Sequence, residues 1–240
     1  METARKFFEG RRVLVVAPHA DDEAIGCGGA ILRASSLGAQ VGVLIVTVGD
    51  LQRVGDGGRV VEGSERLDEV SRVAGFLGVH DWEVLMTDDH THMRLDGIPR
   101  RDLVALLERE ARLSIRNFKP DIVFLPAHSY NQDHEAVLRA GLVATRPHDH
   151  GALPQAAAVL LYEYPPNSWC LPHERVVPNF YIDISDLLDR KLEAYRMYHS
   201  QAREGLHQNS SENLRSLALL RGREVGVVAA EAFQVLRIRI

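Results

Sequence analysis

Long apolar runs are missing from this 240-residue chain, and none approaches the roughly 20 residues that a membrane-spanning helix needs. A basic excess is missing as well. Lys and Arg number 28 against 33 Asp and Glu, for a formal charge of −5 and a pI near 6.1, which argues against nucleic-acid binding. Cysteine is scarce: Cys27 and Cys170 make no disulfide framework, and Cys27, beside Gly26 in an apolar stretch, reads as a small core residue. No GxGxxG follows the first apolar segment, and acids stand where a pyrophosphate would need backbone amides, which disfavours a dinucleotide-binding enzyme. Internal repeats and low-complexity tracts are absent. The N-terminal METARKFFEGRR carries charge where a signal peptide has an apolar core, so the expectation is a cytoplasmic protein.

What remains is ordinary globular composition, 45% hydrophobic and 25% charged, with no break to mark a second domain; residues 1–240 read as one α/β domain. Val13–Ala17 is a short β-branched run that predicts a buried strand, stopped by Pro18. His19, Asp21, Asp22 and Glu23 follow at once. Apolar residues then recur at helical spacing (Ile25, Ala30, Ile31, Ala34), with glycines that allow helix and strand to approach closely. Asp21 and Asp22 fall at the helix N-terminus, where the macrodipole favours negative charge. A strand, a polar turn and a helix place side chains at the carboxyl end of a parallel strand, where α/β proteins bind ligands. An imidazole and a carboxylate three positions apart can reach one divalent ion, leaving the neighbouring carboxylate free to act on water. Taken alone, the cluster also reads as an acidic helix cap beside a solvated histidine.

A second cluster tips that balance. Asp121–Pro126 (DIVFLP) predicts another buried strand, followed by a turn with His128, Tyr130, Asn131, Asp133 and His134 and by a helix burying Val137, Leu138, Gly141 and Leu142. Further strands are predicted at Val41–Val48, Trp82–Met86, Ala156–Glu163 and Tyr181–Ile184, and an edge-like strand over Glu231–Ile240. Helices are predicted at Ser64–Leu77, ended by Gly78, at Arg100–Asn117, Asp186–His199 and Ser211–Arg221. Three polar loops are long enough to shape a pocket: Gly49–Gly63 with GDGG at its centre, Asp88–Asp96 with His90 and His92, and the aromatic Tyr162–Trp169. The glycine-rich loop reads equally as an active-site flap or as plain surface.

PHADDE at Pro18–Glu23 and NQDH at Asn131–His134 resemble the paired signatures of the PIG-L (LmbE-like) deacetylases. The resemblance extends to ERLDEVSRVAGFLGV from Glu65, KPDIVFLP from Lys119, and the C-terminal stretches KLEAYRMYHSQ, RGREVG and AEAF. It implies a Rossmann-like, mostly parallel sheet flanked by helices, with the active site at the carboxyl ends of the strands. It implies a Zn2+ site, other divalent metals being possible, with His19, Asp22 and His134 as ligands and Asp21 as general base. The implied reaction removes the N-acetyl group of an N-acetylglucosamine-type sugar within a larger molecule; relatives often form homo-oligomers. Arg66 matches an arginine that contacts sugar hydroxyls in relatives. The chain departs from the family at Asn131, where many members carry a histidine thought to assist the tetrahedral intermediate. Asn131 retains a hydrogen-bond donor for the oxyanion but cannot carry a proton, and His128 or Tyr130 are alternatives for that role. In the Asp88–Asp96 loop, Asp88, Asp89 and His92 compete for a sugar-binding position. Trp169 or Tyr164 offers an aromatic face to a sugar ring. Competing functions are an amidase for non-sugar N-acyl substrates and a metal-binding member without turnover.

Overall fold

The computed structural model describes residues 2–52, 59–149, 154–165 and 169–239. In chain order the elements are α1 (Glu2–Phe8), β1 (Arg12–His19), α2 (Asp22–Ser36), β2 (Gln40–Thr47), β3 (Leu51–Gln52), β4 (Val60–Val61), α3 (Gly63–Leu77), β5 (Asp81–Met86), α4 (Arg100–Ala105), α5 (Ile115–Phe118), β6 (Ile122–Pro126), α6 (Gln132–Ala144), β7 (Ala158–Tyr162), β8 (Phe180–Asp183), α7 (Leu188–Arg196), α8 (Ser211–Glu224) and β9 (Ala230–Ile238). Seven strands form one sheet in the order β5-β2-β1-β6-β7-β9-β8. The first five in that order pair in parallel; β9 runs antiparallel to both β7 and β8. This is an α/β fold with a mostly parallel sheet between helical layers.

β1 is central, and its apolar run is buried on both faces, as a parallel strand between two helical layers must be. Val13, Val15 and Ala17 face the layer that holds α2, α3, α7 and α8; Leu14 and Val16 face α4, α5 and α6. From β1 the chain builds outward through β2 to β5, then crosses back to lay β6 and β7 on the other side of β1. The strand order therefore reverses between β1 and β6, and a crevice opens beyond their carboxyl ends, where such sheets bind ligands. The helices α2 and α6 start there on opposite faces.

Close approach of α2 to the sheet depends on glycine. A Cβ on Gly26 would lie 2.2 Å from the Tyr162 ring, and that ring is anchored by its hydroxyl donating to the Val16 carbonyl at 3.1 Å.

Three expectations need correction. Pro18 does not end the first strand: His19 still pairs with Thr47, because the β2 ladder holds the residues on either side of the proline. The helix predicted over Arg100–Asn117 is broken. It widens into a π-turn at Leu106–Glu110, leaves helical geometry at Ala111, and restarts after Ser114. The Glu83 carboxylate takes the backbone N–H groups of Arg112 and Leu113, and Asn117 donates to the carbonyls of Arg109 and Ala111, so tertiary partners replace the helical ones. The C-terminal strand is not a simple edge. Ala230–Phe233 pair with β8 and residues from Phe233 to Ile238 pair with β7, so Phe233 is held on both sides and the residues beyond it have a partner on β7 alone. Positions 53–58, which include the GDGG centre of the glycine-rich loop, lie outside the described residues, as do 166–168 of the Tyr162–Trp169 loop.

Candidate metal centre

The last residue of β1 and the first turns of α2 and α6 meet at the crevice. His19, Asp22 and His134 are 6%, 1% and 1% exposed, and one ligand atom of each lies within 4.8 Å of the others. The Asp22 Oδ2 atom is the hub. It accepts the His19 backbone N–H at 2.9 Å and lies 3.5 Å from His19 Nδ1 and 3.3 Å from His134 Nε2. On its far side, His19 Nε2 donates to Asp133 Oδ2 at 2.8 Å, and Asp133 Oδ1 accepts from the Leu95 N–H at 2.9 Å. A carboxylate behind an imidazole fixes its tautomer and leaves the other nitrogen, here Nδ1, pointing at the ligand cluster.

The electrostatics ask for a cation. Burial alone would depress His19, but Asp133 and Asp22 outweigh it and push its pKa up to about 9. Burial alone would raise Asp22, but His134 and His19 hold its carboxyl well below the usual range. Two imidazoles and three buried aspartates thus share one small site, and two nitrogens with one carboxylate suit Zn2+ or a neighbouring divalent ion. The His134 Nδ1 atom is buried with no partner among the described residues.

Asp21 stands outside this convergent set. It is the residue before α2 and has φ 117° and ψ −26°, a left-handed conformation that costs on the order of 1–3 kcal/mol in a residue other than glycine. Its side chain makes no capping bond; its N–H donates to Glu23 Oε2 at 3.2 Å. Burial first, then the charges of Asp22 and Glu23, push the Asp21 carboxyl well above its ordinary pKa, with His19 and Arg66 opposing. That is the setting of a group able to take and return a proton.

Arg66, on the first turns of α3, enters the same space. It is 1% exposed; its Nη1 donates to the Gly49 carbonyl at 2.6 Å and to His92 Nε2 at 2.7 Å. Its Nε and Nη2 have no partner among the described residues. Glu69, one turn further along α3, accepts from the Ser200 N–H and hydroxyl. Burial, then the Arg66 charge, push His92 down to about 4, so it is neutral and its Nε2 is free to accept. Nδ1 then carries the proton and lies 3.4 Å from Thr47 Oγ1.

Residues 14–145, which contain both strand-turn-helix units, match the family model described as PIG-L: GlcNAc-PI de-N-acetylase. The chain belongs to the PIG-L family. It is 30% identical to the diacetylchitobiose deacetylase of Thermococcus kodakarensis over 95% of this chain and 84% of that protein. Among solved structures, the conserved protein TT1542 of Thermus thermophilus superposes with a TM-score of 0.73 at 25% identity, covering 96% of both chains. The N,N'-diacetylchitobiose deacetylase of Pyrococcus horikoshii, in complex with an inhibitor, gives 0.69 at 26% identity over 94% of this chain and 84% of that one.

Around the PIG-L centre the remaining candidates fall into two groups. Asn131 is the N-cap of α6, its Oδ1 accepting from the Asp133 N–H at 2.9 Å, which leaves only its amide nitrogen for other work. Tyr164 packs its ring on His134 at 4.8 Å, and its hydroxyl accepts from Asn209 Nδ2 at 2.7 Å. Tyr130 is 55% exposed and accepts from Gln208 Nε2, while Trp169 is 76% exposed. His128 is half-buried, 3.9 Å from Glu174. Of the three candidates in the Asp88–Asp96 loop, His92 is the buried one, against Arg66. Asp88 caps its own turn through His90 and Thr91, and Asp89 accepts from the Asp50 N–H. Sequence reasoning gave Asp133 no role. Its position beside His134 on one helical turn was the available signal, but facing His19 is settled only by the β1–β6 neighbourhood.

Proposed function

We propose that this chain is a divalent-metal-dependent N-deacetylase that removes the acetyl group from an N-acetylglucosamine-type unit of a larger molecule. One observation carries the reading: three buried donors converge at the switch of strand order, and a further buried carboxylate, Asp21, stands beside them outside the set. His19, Asp22 and His134 would hold the ion, and Zn2+ fits the donors best. A divalent ion held there supplies Lewis acidity, making water more acidic and polarising the acyl carbonyl. Asp21 takes the proton of the attacking water and, once protonated, returns it to the leaving amine, so one carboxyl serves both steps. Its raised pKa suits the second step, because a carboxyl that holds a proton in this pocket can deliver it. The Asn131 amide and the open Arg66 donors are the groups left to meet the oxyanion and the sugar hydroxyls. His92 and Tyr164, which touch Arg66 and His134, would border the sugar, and the exposed Tyr130 and Trp169 would offer it further contacts.

The names of the relatives support the amino-sugar substrate, since two are deacetylases of diacetylchitobiose. The test is release of free amine from a panel of N-acetylglucosamine conjugates (chitobiose-like, lipid-linked and thiol-precursor types) beside non-sugar N-acetyl amides. Each is assayed after chelation and again after metal is restored. Turnover of a sugar conjugate that is lost on chelation and regained with Zn2+ supports the reading. Turnover of the non-sugar amides alone replaces the substrate class, and turnover indifferent to chelation sinks the mechanism.

A further inference from the structure

Behind the pocket wall, Glu23 is 2% exposed and Tyr198 1% exposed, and neither belongs to the metal set. Glu23 Oε1 accepts the Tyr198 hydroxyl at 2.5 Å, and Oε2 accepts the N–H of Asp21 at 3.2 Å. We propose that Glu23 and Tyr198 are positioning residues that hold the Asp21 backbone in its left-handed conformation, from which its carboxylate meets the substrate water. The proposal rests on the reading of Asp21 as the base.

Three features of the surroundings support it. First, the other bonds of this turn leave the Asp21 N–H to Glu23: the Asp21 carbonyl accepts from the Ile25 N–H at 2.9 Å, and Asp22 Oδ2 accepts from the His19 N–H. Asp21 makes no side-chain cap, and its φ of 117° is one that L-residues rarely adopt, so the N–H bond to Glu23 holds a strained backbone in place. Secondly, a buried carboxylate needs hydrogen bonds to offset its lost hydration. No cationic side chain pairs with Glu23 among the described residues; Oε1 meets the Tyr198 hydroxyl and Oε2 the Asp21 N–H. A carboxylate retained beside the void lined by Val43, Ile45 and Val70 is a poor choice for filling space alone. Thirdly, Tyr198 is held on both sides. Its carbonyl accepts from the N–H groups of Gln201 and Ala202, and two residues on, Ser200 locks onto Glu69 of α3. The segment after α7 thus braces the turn of β1 and the helix of Arg66 together. The length of glutamate matters: its carboxyl reaches back two residues to the amide and forward to Tyr198, and aspartate is one methylene shorter.

The experiment compares Tyr198→Phe, Glu23→Gln and Glu23→Ala with the wild type, each measured for bound Zn2+, kcat and KM on the best sugar conjugate, and amide hydrogen exchange at Asp21. Tyr198→Phe removes one oxygen and keeps the ring, so it tests the bond even if Glu23→Ala fails to fold. Glutamine can accept the Asp21 N–H with Oε1 and donate to the Tyr198 oxygen. Expected is a loss of about tenfold or more in kcat per bound metal for Tyr198→Phe and Glu23→Ala, with KM and metal content kept, and near-wild-type kcat for Glu23→Gln. The Asp21 amide exchanges about tenfold faster wherever kcat falls. Unchanged kcat per bound metal in Tyr198→Phe overturns the proposal, as does a loss that only tracks lost metal. If the wild type releases amine from no conjugate, the deacetylase reading fails. The exchange rate at Asp21 then decides the pair alone: no change on removing either partner overturns it.

Discussion

The His19 imidazole donates to the Asp133 carboxylate at 2.8 Å, joining the end of β1 to the first turn of α6 across 114 positions of sequence. This bond orients the first proposed ligand by means of a residue that is not itself in the proposed ligand set. Asp133→Ala is expected to lower metal affinity or kcat by roughly 10–100-fold, with Asp133→Asn in between because it keeps an acceptor without the charge. Zinc titration of the two variants checks this, and wild-type affinity and turnover in Asp133→Ala would show the bond to be incidental.

Adjacent aspartates are expected to behave oppositely. Asp21→Asn keeps near-stoichiometric metal and loses at least about a hundredfold in kcat, the scale for an acid–base group. Asp22→Asn, His19→Ala and His134→Ala lose metal first, and added zinc restores part of their activity. Elemental analysis beside steady-state kinetics reads both. If Asp21→Asn loses its metal while Asp22→Asn keeps it, the roles are reversed.

Asn131 has its oxygen committed to the helix cap, so the two sides of its amide can be separated. Asn131→Ser preserves a good cap and removes the NH2 donor. A drop in kcat on the order of a hundredfold at unchanged Tm identifies the amide as an oxyanion donor. Unchanged kcat limits Asn131 to shaping the turn.

His92 gives a pH dependence of stability with a definite sign. Its folded pKa is about 4, while an unfolded histidine titrates near 6.5. Between those values the unfolded chain binds the proton and the folded one does not, so stability falls as pH falls. The contribution is complete above about pH 6.5 and drains away toward pH 4. Denaturant unfolding across this window is expected to show a shallower loss in His92→Gln than in the wild type; parallel curves would mean that the fold does not shift His92 at all.

Gly26→Ala tests the packing that brings α2 to the sheet. Its Cβ would sit 2.2 Å from a ring carbon of Tyr162, which is itself buried. Overpacking of this kind typically costs about 1–3 kcal/mol. Thermal unfolding should show the loss, and a trimmed partner in Gly26→Ala/Tyr162→Leu should recover part of it. A Tm equal to that of the wild type would show that the helix can shift freely.

The local units were legible in the chain itself. An apolar β-branched run, a turn of short polar residues and a helical apolar stripe encode strand, turn and helix through short-range sterics and periodicity alone, and both copies form, although the first strand runs on through Pro18 and Leu142, read as buried, is exposed on α6. Spacing within each turn also put His19 beside Asp22, three residues apart on one buried turn. Periodicity failed where tertiary hydrogen bonds displaced helical ones, as when Glu83 took the amides that a continuous Arg100–Asn117 helix would have used.

Only the tertiary structure decided which distant side chains share the pocket. His134 reaches Asp22 because β6 is laid beside β1 after the crossover, and that adjacency lies in the strand order rather than in either local pattern. Arg66 on His92, Asp133 behind His19 and Tyr198 behind Glu23 span 26, 114 and 175 positions. No local rule links them. Burial removes water from these polar groups, and each must then bond whichever partner the packed layers bring within reach, so folding assigns their roles.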